Sequence, residues 1–336
     1  MQFFLSRRGW SVGGLALMAM GVAGAMMGCA GPAPSLLDAP LGPFPERLVD
    51  VGLYPDPADR TTVDERALGF EPEHPLWSNG SAKERYLVVP EGGAIDASDP
   101  EAWAFPVGTL AFKTFTYAED GGERPVETRV IRRRADGWGY AVYRWNDSGT
   151  EASLLDLSLS VAVPVTVDGE SFEHAIPSRV ECQTCHEAGA TLPLGLRGVQ
   201  LSGADGPLSR WSEAGVFAAP IEDPQTIDHP DPDTRWVLSY FQGNCVHCHR
   251  DGGAIALDLS LEHEVALERI IDQPTRAISF PNGIRVVPGA PAESLLFLAV
   301  SGEGDAAFRP MPPLGVQRRD APAVERLRAW IGSLEP

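Results

Sequence analysis

Two pentapeptides of one form, Cys182-Gln183-Thr184-Cys185-His186 and Cys245-Val246-His247-Cys248-His249, hold four of the chain's five cysteines. Two thiols three residues apart share one helical turn, and the imidazole that follows projects beside them. Any fold this chain adopts must therefore leave room, twice, for a group that takes two sulfurs and one ring nitrogen. C-x-x-C-H is the attachment pattern of c-type haem. The paired sulfurs form thioethers with the vinyl groups of one porphyrin edge, and the neutral imidazole ligates the iron. The pattern predicts two covalently bound haem c groups. Cys182, Cys185, Cys245 and Cys248 are the attachment residues, and His186 and His249 are iron ligands.

Other uses of the cysteines fit less well. A Cys₄ zinc site needs the two pairs to meet across the 59 residues between Cys185 and Cys245, beyond the usual ~15–20. Two thioredoxin-like pairs, or two structural disulfides, leave unexplained why a histidine follows each pair. The fifth cysteine has a separate context. Arg7 and Arg8 precede an uncharged apolar stretch, Val12 to Gly28, that ends in Met26-Met27-Gly28-Cys29. This is the layout of an export signal, and its end looks like a bacterial lipobox with Cys29 as the lipidated first mature residue. Met at both upstream positions departs from the usual Leu-Ala pattern. Simple cleavage and an uncleaved anchor stay open as alternatives, since the stretch is near the ~17-residue lower limit for a spanning helix.

Residues 1–28 are thus read as a signal peptide and 29–43 as a lipidated flexible tether, Ala30-Gly31-Pro32-Ala33-Pro34 included. The mature chain is expected on the periplasmic or cell-surface side, bound to the lipid membrane through Cys29, with the outer membrane as its place. Ser6-Arg7-Arg8 partly resembles a twin-arginine signal, but attachment of haem c normally follows export of an unfolded chain. Net charge is −19; without residues 1–28 it is −21, from 25 Lys+Arg against 46 Asp+Glu. Such a surface repels phosphate backbones, so no nucleic-acid partner is expected. The acidity keeps the chain soluble or steers a basic redox partner protein.

The expected fold class is α+β and multidomain: an N-terminal antiparallel β-sandwich or barrel, followed by a mainly α cytochrome c-like domain. The division is a β domain over 44–176, a first haem-binding segment over 177–232, and a cytochrome c-like domain with the second haem over 233–336. Thr109–Tyr117 is rich in β-branched and aromatic residues, and Trp138–Trp145 alternates with Trp138, Tyr140 and Val142 on one face. Asp136-Gly137 and Asp168-Gly169 are hairpin signals. The patterns of Asp233–Gln242, Leu261–Asp272 and Asp320–Leu334 predict helices, the last with Asp320 as N-cap and Val324, Leu327, Trp330 and Ile331 as its buried stripe.

Met311, between Pro310 and Pro312, is the candidate distal ligand of the second haem; Met/His ligation raises the potential relative to bis-His. Methionine occurs at positions 1, 18, 20, 26, 27 and 311 only, so a second Met-ligated haem is impossible within one mature chain. The distal ligand of the first haem is then His74, His174, His229 or His263, with His174 and His229 singled out, or the iron is open. His247 is expected to point away from the iron.

Several stretches together resemble a family of exported, largely uncharacterised bacterial dihaem c-type cytochromes. They are Leu76–Arg85, Phe105–Thr109 with Lys113-Thr114-Phe115, Glu127-Thr128-Arg129, Trp138-Gly139-Tyr140 with Tyr143–Asn146, Ile176–Arg179 and Asn244. The resemblance runs from about Leu76 onward and implies haem c binding and electron transfer at the two motifs, with no established substrate. Asn79 stands where the pattern has an acidic residue.

Electron transfer is the leading expectation, which makes the chain a carrier rather than a catalyst. The alternatives are a dihaem peroxidase-like protein or accessory oxidoreductase subunit with an open haem site, and a β-domain ligand- or partner-binding module coupled to a cytochrome. No catalytic residue is nominated: the chain has no P-loop, no G-x-G-x-x-G after a strand and no G-x-S-x-G.

Overall fold

Alternation along the strands decides the architecture of the first half. In the computed structural model, residues 34–119, 121–187, 193–203, 206–221, 225–251, 259–275, 283–304 and 310–335 are described; the signal peptide and Cys29 lie outside them. Six antiparallel strands follow one another as a meander in chain order: β1 (Leu68–Gly69), β2 (Ala82–Val88), β3 (Leu110–Glu119), β4 (Gly122–Arg134), β5 (Gly137–Trp145) and β6 (Ala152–Leu154). A hairpin, β7 (Val161–Val167) and β8 (Glu170–Ile176), forms a second sheet. Asp168 (φ 53°) and Gly169 (φ 77°) both take the left-handed conformation that its two-residue turn demands.

Antiparallel strands in the first half followed by helices in the second agree with expectation. A closed barrel or a pair of equal sheets does not. The edge strands β1 and β6 are only two and three residues long, too short to pair with each other, so the sheet stays open with the hairpin laid on one face. A register shift between Phe115 and Thr116 places Pro125, which has no N–H to give, beside Thr116.

Both faces of the sheet are covered. One face, with Val88, Phe112, Val130, Tyr143 and Trp145, packs under the N-terminal residues Leu36, Leu48, Val51 and Tyr54. The opposite face has apolar ground at its two ends. At one end Phe115, Tyr140 and Val142 meet Val163 and Val165 of the hairpin and the side chain of Cys182. At the other, Leu87 and Ala111 meet Leu196, Leu201 and Trp211. Between these two patches the face is polar.

The helices are α1 (Arg179–His186), α2 (Gly198–Leu201), α3 (Leu208–Glu213), α4 (Pro232–Asn244), α5 (Ala266–Ile270), α6 (Leu295–Ser301) and α7 (Ala321–Ser333). Helix α7 forms as its pattern predicts. The Asp320 carboxylate caps it by accepting from Ala323 N–H, and Val324, Leu327, Trp330 and Ile331 are buried. It packs on α4 and α6 in one core with Val237, Leu238, Phe241 and Phe297. The Trp330 indole donates to Thr234 Oγ1 at 3.0 Å. The helix expected over Leu261–Asp272 is shorter. Leu261 N–H is spent on the His249 carbonyl, and Ile271 turns extended to bridge Val286, which confines α5 to five residues. From Pro34 onward the sheet and the helices belong to one compact unit. No described helix is long and apolar enough to cross a membrane.

Candidate functional site

The first motif occupies the C-terminal end of α1, from Cys182 to His186. Ser178 and Glu181 start that helix with a capping box: Ser178 N–H donates to Glu181 Oε2 at 2.8 Å, and Ser178 Oγ accepts from Glu181 N–H. Cys182, Cys185 and His186 stand at i, i+3 and i+4 and so share one face, turned toward the sheet. Cys182 is buried in the apolar patch under the hairpin. The His186 ring lies 6.0 Å from the ring of Tyr140 on β5.

The second motif begins where α4 ends. Cys245 N–H donates to the Phe241 carbonyl, and the N–H groups of Cys248 and His249 both donate to the Cys245 carbonyl. The chain thus coils back on itself through the whole pentapeptide.

Folding brings the two motifs together. Donor atoms of Cys185, His247 and Cys248 lie within 4.8 Å of one another. The 59 residues between the cysteine pairs therefore do not keep them apart, and His247 points into the junction. The Cys248 thiol hydrogen-bonded to Cys185 lowers the Cys185 pKa to about 4 against the opposing effect of burial, with His247 and Arg129 assisting. The same hydrogen bond raises the Cys248 pKa. Burial raises Cys245 to about 12. It also lowers His186 to about 3, helped by Lys113 and Arg129, and it lowers His249. Both imidazoles are thereby held neutral, and the Nδ1 of each is buried with no hydrogen-bond partner among the described residues.

A strap, residues 74–80, connects the second motif to the Met311 loop. A Cβ on Gly243 would lie 2.4 Å from the His74 carbonyl oxygen, so the approach of strap to helix requires glycine there. Asn244 Oδ1 accepts from Trp77 N–H at 2.7 Å. The Trp77 indole donates to the Arg318 carbonyl at 2.8 Å. Asn79 Oδ1 accepts from Gln317 N–H at 2.6 Å and Arg318 N–H at 3.0 Å, while its Nδ2 donates to the Gly315 carbonyl at 3.1 Å. Met311 itself is fixed by its N–H donating to Ala299 at the end of α6 and by Arg319 on its carbonyl.

The histidines considered as distal ligands divide. His174 is 4% exposed, and both its nitrogens are engaged. Nε2 lies 2.8 Å from Glu127 Oε1 and Nδ1 lies 2.8 Å from Tyr117 Oη. Because Glu127 is ionised, Nε2–H donates to it and Nδ1 accepts from the tyrosine, which leaves no nitrogen for a metal. His229 Nδ1 accepts from Asp231 N–H at the start of α4, a local loop contact. His263 Nδ1 sits 3.3 Å from Glu264. His74 lines a cleft of about 60 Å³ together with His247, Arg85, Lys113, Arg197 and Arg250. Tyr140, Tyr143 and Trp145 of β5 are buried in packing, and Trp77 holds the strap, so none of these four offers an exposed aromatic face for a ligand.

Sequence reasoning missed the polar band of the sheet. Arg85, Lys113 and Arg129 stand in one register on β2, β3 and β4, on the face that meets the motifs. In the sequence each is a single charge within a strand, and only the strand register puts the three in a row. No protein-family profile matches the chain, no curated protein matches it, and no solved structure matches it.

Proposed function

We propose that the chain is an exported c-type cytochrome that carries two covalently attached haems and passes electrons between partner proteins outside the cytoplasm. The observation that carries this reading is the meeting of both C-x-x-C-H motifs at one place, the Cys185 and Cys248 sulfurs lying within 4.8 Å of each other. The donor set fits the group. Each motif offers two thiols and an imidazole kept neutral by burial, with a buried Nδ1 that no group among the described residues satisfies. Bound haem supplies reversible one-electron chemistry at a potential tuned by its axial ligands. Attachment sites this close would let two such groups exchange electrons within one chain.

The chain's own residues build the surroundings. Cys245 and Val246 of the second motif pack in the apolar core formed by helices α4, α6 and α7, which supports reading this part as the cytochrome c-like one. The strap sets the loop that offers Met311 as distal ligand. At the first site both nitrogens of His174 are engaged, which leaves His74, His229, His263 or an open iron, and of these histidines His74 lines the cleft. Export by residues 1–28 and a lipid on Cys29 complete the proposal. They put the protein on the outer membrane, facing the periplasm or cell surface, where its acidic surface attracts basic redox partners.

One observation favours a second reading. Cys185, His247 and Cys248 form a group suited to a soft cation such as zinc. Intact-mass and metal analysis of the full chain, matured by export, separates the two. Two added haems and stoichiometric iron support the cytochrome. The bare peptide mass, with or without zinc, overturns it.

A further inference from the structure

Arg85 pairs with Lys113 across β2 and β3, and Lys113 pairs with Arg129 across β3 and β4. Three basic side chains thus stand side by side on one sheet face, where like-charge repulsion disfavours protonating all three. The chain carries 27 Lys+Arg against 46 Asp+Glu, so carboxylates to neutralise such a row are plentiful. Arg85 has Glu71 at 2.8 Å, and Arg129 has Glu127, with Nε to Oε2 at 2.9 Å. Lys113 has no carboxylate partner among the described residues. Its ammonium lies 5.1 Å from the centroid of the Phe115 ring, which Arg129 also covers at 4.4 Å.

Burial, Arg85, Arg129 and Lys83 together push the Lys113 pKa far down. A lysine held there without a partner costs the empty protein stability, and a bound anion removes that cost. The row does not face open water. Arg85 and Lys113 line the cleft with His247 and two further arginines, Arg197 and Arg250, and the Phe115 ring that Lys113 and Arg129 cover packs in the same apolar patch as Cys182.

We propose that Arg85, Lys113 and Arg129 form an anion-binding site for carboxylate or related oxyanion groups, and that the propionates of the porphyrin attached at Cys182 and Cys185 fill it. The identity of the anion rests on the function proposed above; the existence of the site does not. A propionate pair suits the row because neighbouring strands space its cations about 5 Å apart, a span two carboxylates on one ring edge can bridge. A small free oxyanion shares that chemistry and is the other source.

The test compares wild type, Lys113→Met and Lys113→Arg as full mature chains. Resonance Raman of the haem-loaded protein reads the propionate bending modes, which respond to hydrogen bonding at the carboxylates. Titration with inorganic phosphate at fixed ionic strength, followed by thermal midpoint, reads a free-anion site. If propionates fill the row, the bending mode shifts in Lys113→Met, returns in Lys113→Arg, and phosphate has no effect on wild type. If a free anion fills it, phosphate raises the wild-type midpoint saturably and Lys113→Met binds it about tenfold more weakly, as loss of one charge-assisted hydrogen bond implies. That result keeps the site and reassigns its occupant. Unchanged Raman modes together with identical phosphate responses in wild type and Lys113→Met overturn the proposal. A chain that carries no haem refutes the cytochrome reading alone, because the phosphate titration still reports on the site.

Discussion

The side-chain oxygen of Asn244, the residue just before the second motif, accepts the backbone N–H of Trp77 at 2.7 Å across 167 positions of sequence. Through its amide nitrogen the same side chain donates to the Tyr240 carbonyl at 3.1 Å. One asparagine therefore caps the end of α4 and fastens the strap. Asn244→Ala leaves the Trp77 N–H without a partner at a part-buried position, which is expected to cost about 1–3 kcal/mol. Asn244→Asp keeps the acceptor and should recover part of that loss. Urea denaturation of the three proteins checks the order; equal midpoints for wild type and Asn244→Ala would refute the strap's role.

Asn79 holds the far end of the strap in the left-handed region, at φ 58°, where asparagine is tolerated better than alanine. Asn79→Ala removes all three hydrogen bonds to residues 315–318 and adds backbone strain, with an expected loss of about 2–4 kcal/mol. In the haem-loaded protein the loosened loop should also weaken Met311 ligation. The band diagnostic of a sulfur–iron bond near the red end of the ferric spectrum is then expected to fade in Asn79→Ala and persist in Asn79→Asp, whose carboxylate still accepts from Gln317 and Arg318.

Local chemistry was readable where a residue's partners lie close in sequence. Asp320 as N-cap, the α7 stripe of Val324, Leu327, Trp330 and Ile331, and the Asp168-Gly169 turn all follow from spacing within a few residues. The capping box of Ser178 and Glu181 was equally local, yet it is overshadowed by the cysteine motif it introduces. What stayed hidden is long-range. Lys113, Arg85 and Arg129 each look like ordinary solvent-facing charges on a strand, and only register places them in a row. The meeting of Cys185 with Cys248 depends on how α1 and α4 dock, which no spacing along the chain encodes. Strap residues Trp77 and Asn79 carry the same lesson, since their partners lie more than 160 positions away.

Trp330 seals the contact between the last and first helices of the second site. Trp330→Phe keeps most of the apolar contact and loses only the hydrogen bond to Thr234, about 1 kcal/mol. Trp330→Ala opens a cavity in a fully packed core, about 3–5 kcal/mol. Thermal denaturation should rank the two variants in that order, with the larger loss accompanied by weaker protection of α4 in hydrogen exchange.

Glu127 gives the first half its acid sensitivity. Burial alone would raise its pKa, but Arg129 and His174 lower it to about 2 from an ordinary 4.5. The unfolded chain thus binds the proton more readily. The stabilisation is complete above about pH 4.5 and disappears as pH falls through about 2, an effect on the order of 3 kcal/mol. Glu127→Gln is expected to be less stable than wild type at pH 7, because Arg129 loses its buried partner, and to show a flatter decline from pH 5 to pH 2. Circular dichroism melts across that range test the slope; parallel declines would show that Glu127 does not carry it.

His247 separates the two readings of the junction. In the cytochrome it lies between the cysteines of the second motif and is neither a thioether residue nor the motif's terminal histidine. In a zinc site it is one of the three donors that converge within 4.8 Å. His247→Ala is therefore expected to keep both haems and all iron after export, because Cys245, Cys248 and His249 are untouched. Only the local field changes: the imidazole stands beside both Cys185 and Cys248 and acts on both His186 and His249, so its removal shifts both haem potentials while the haem count stays at two. Thiol alkylation adds an independent check, since a matured cytochrome has no free sulfur at positions 182, 185, 245 or 248 in either protein. If His247→Ala instead lost bound metal while its four thiols became alkylatable, the histidine would be a ligand and the pair of motifs a metal clasp.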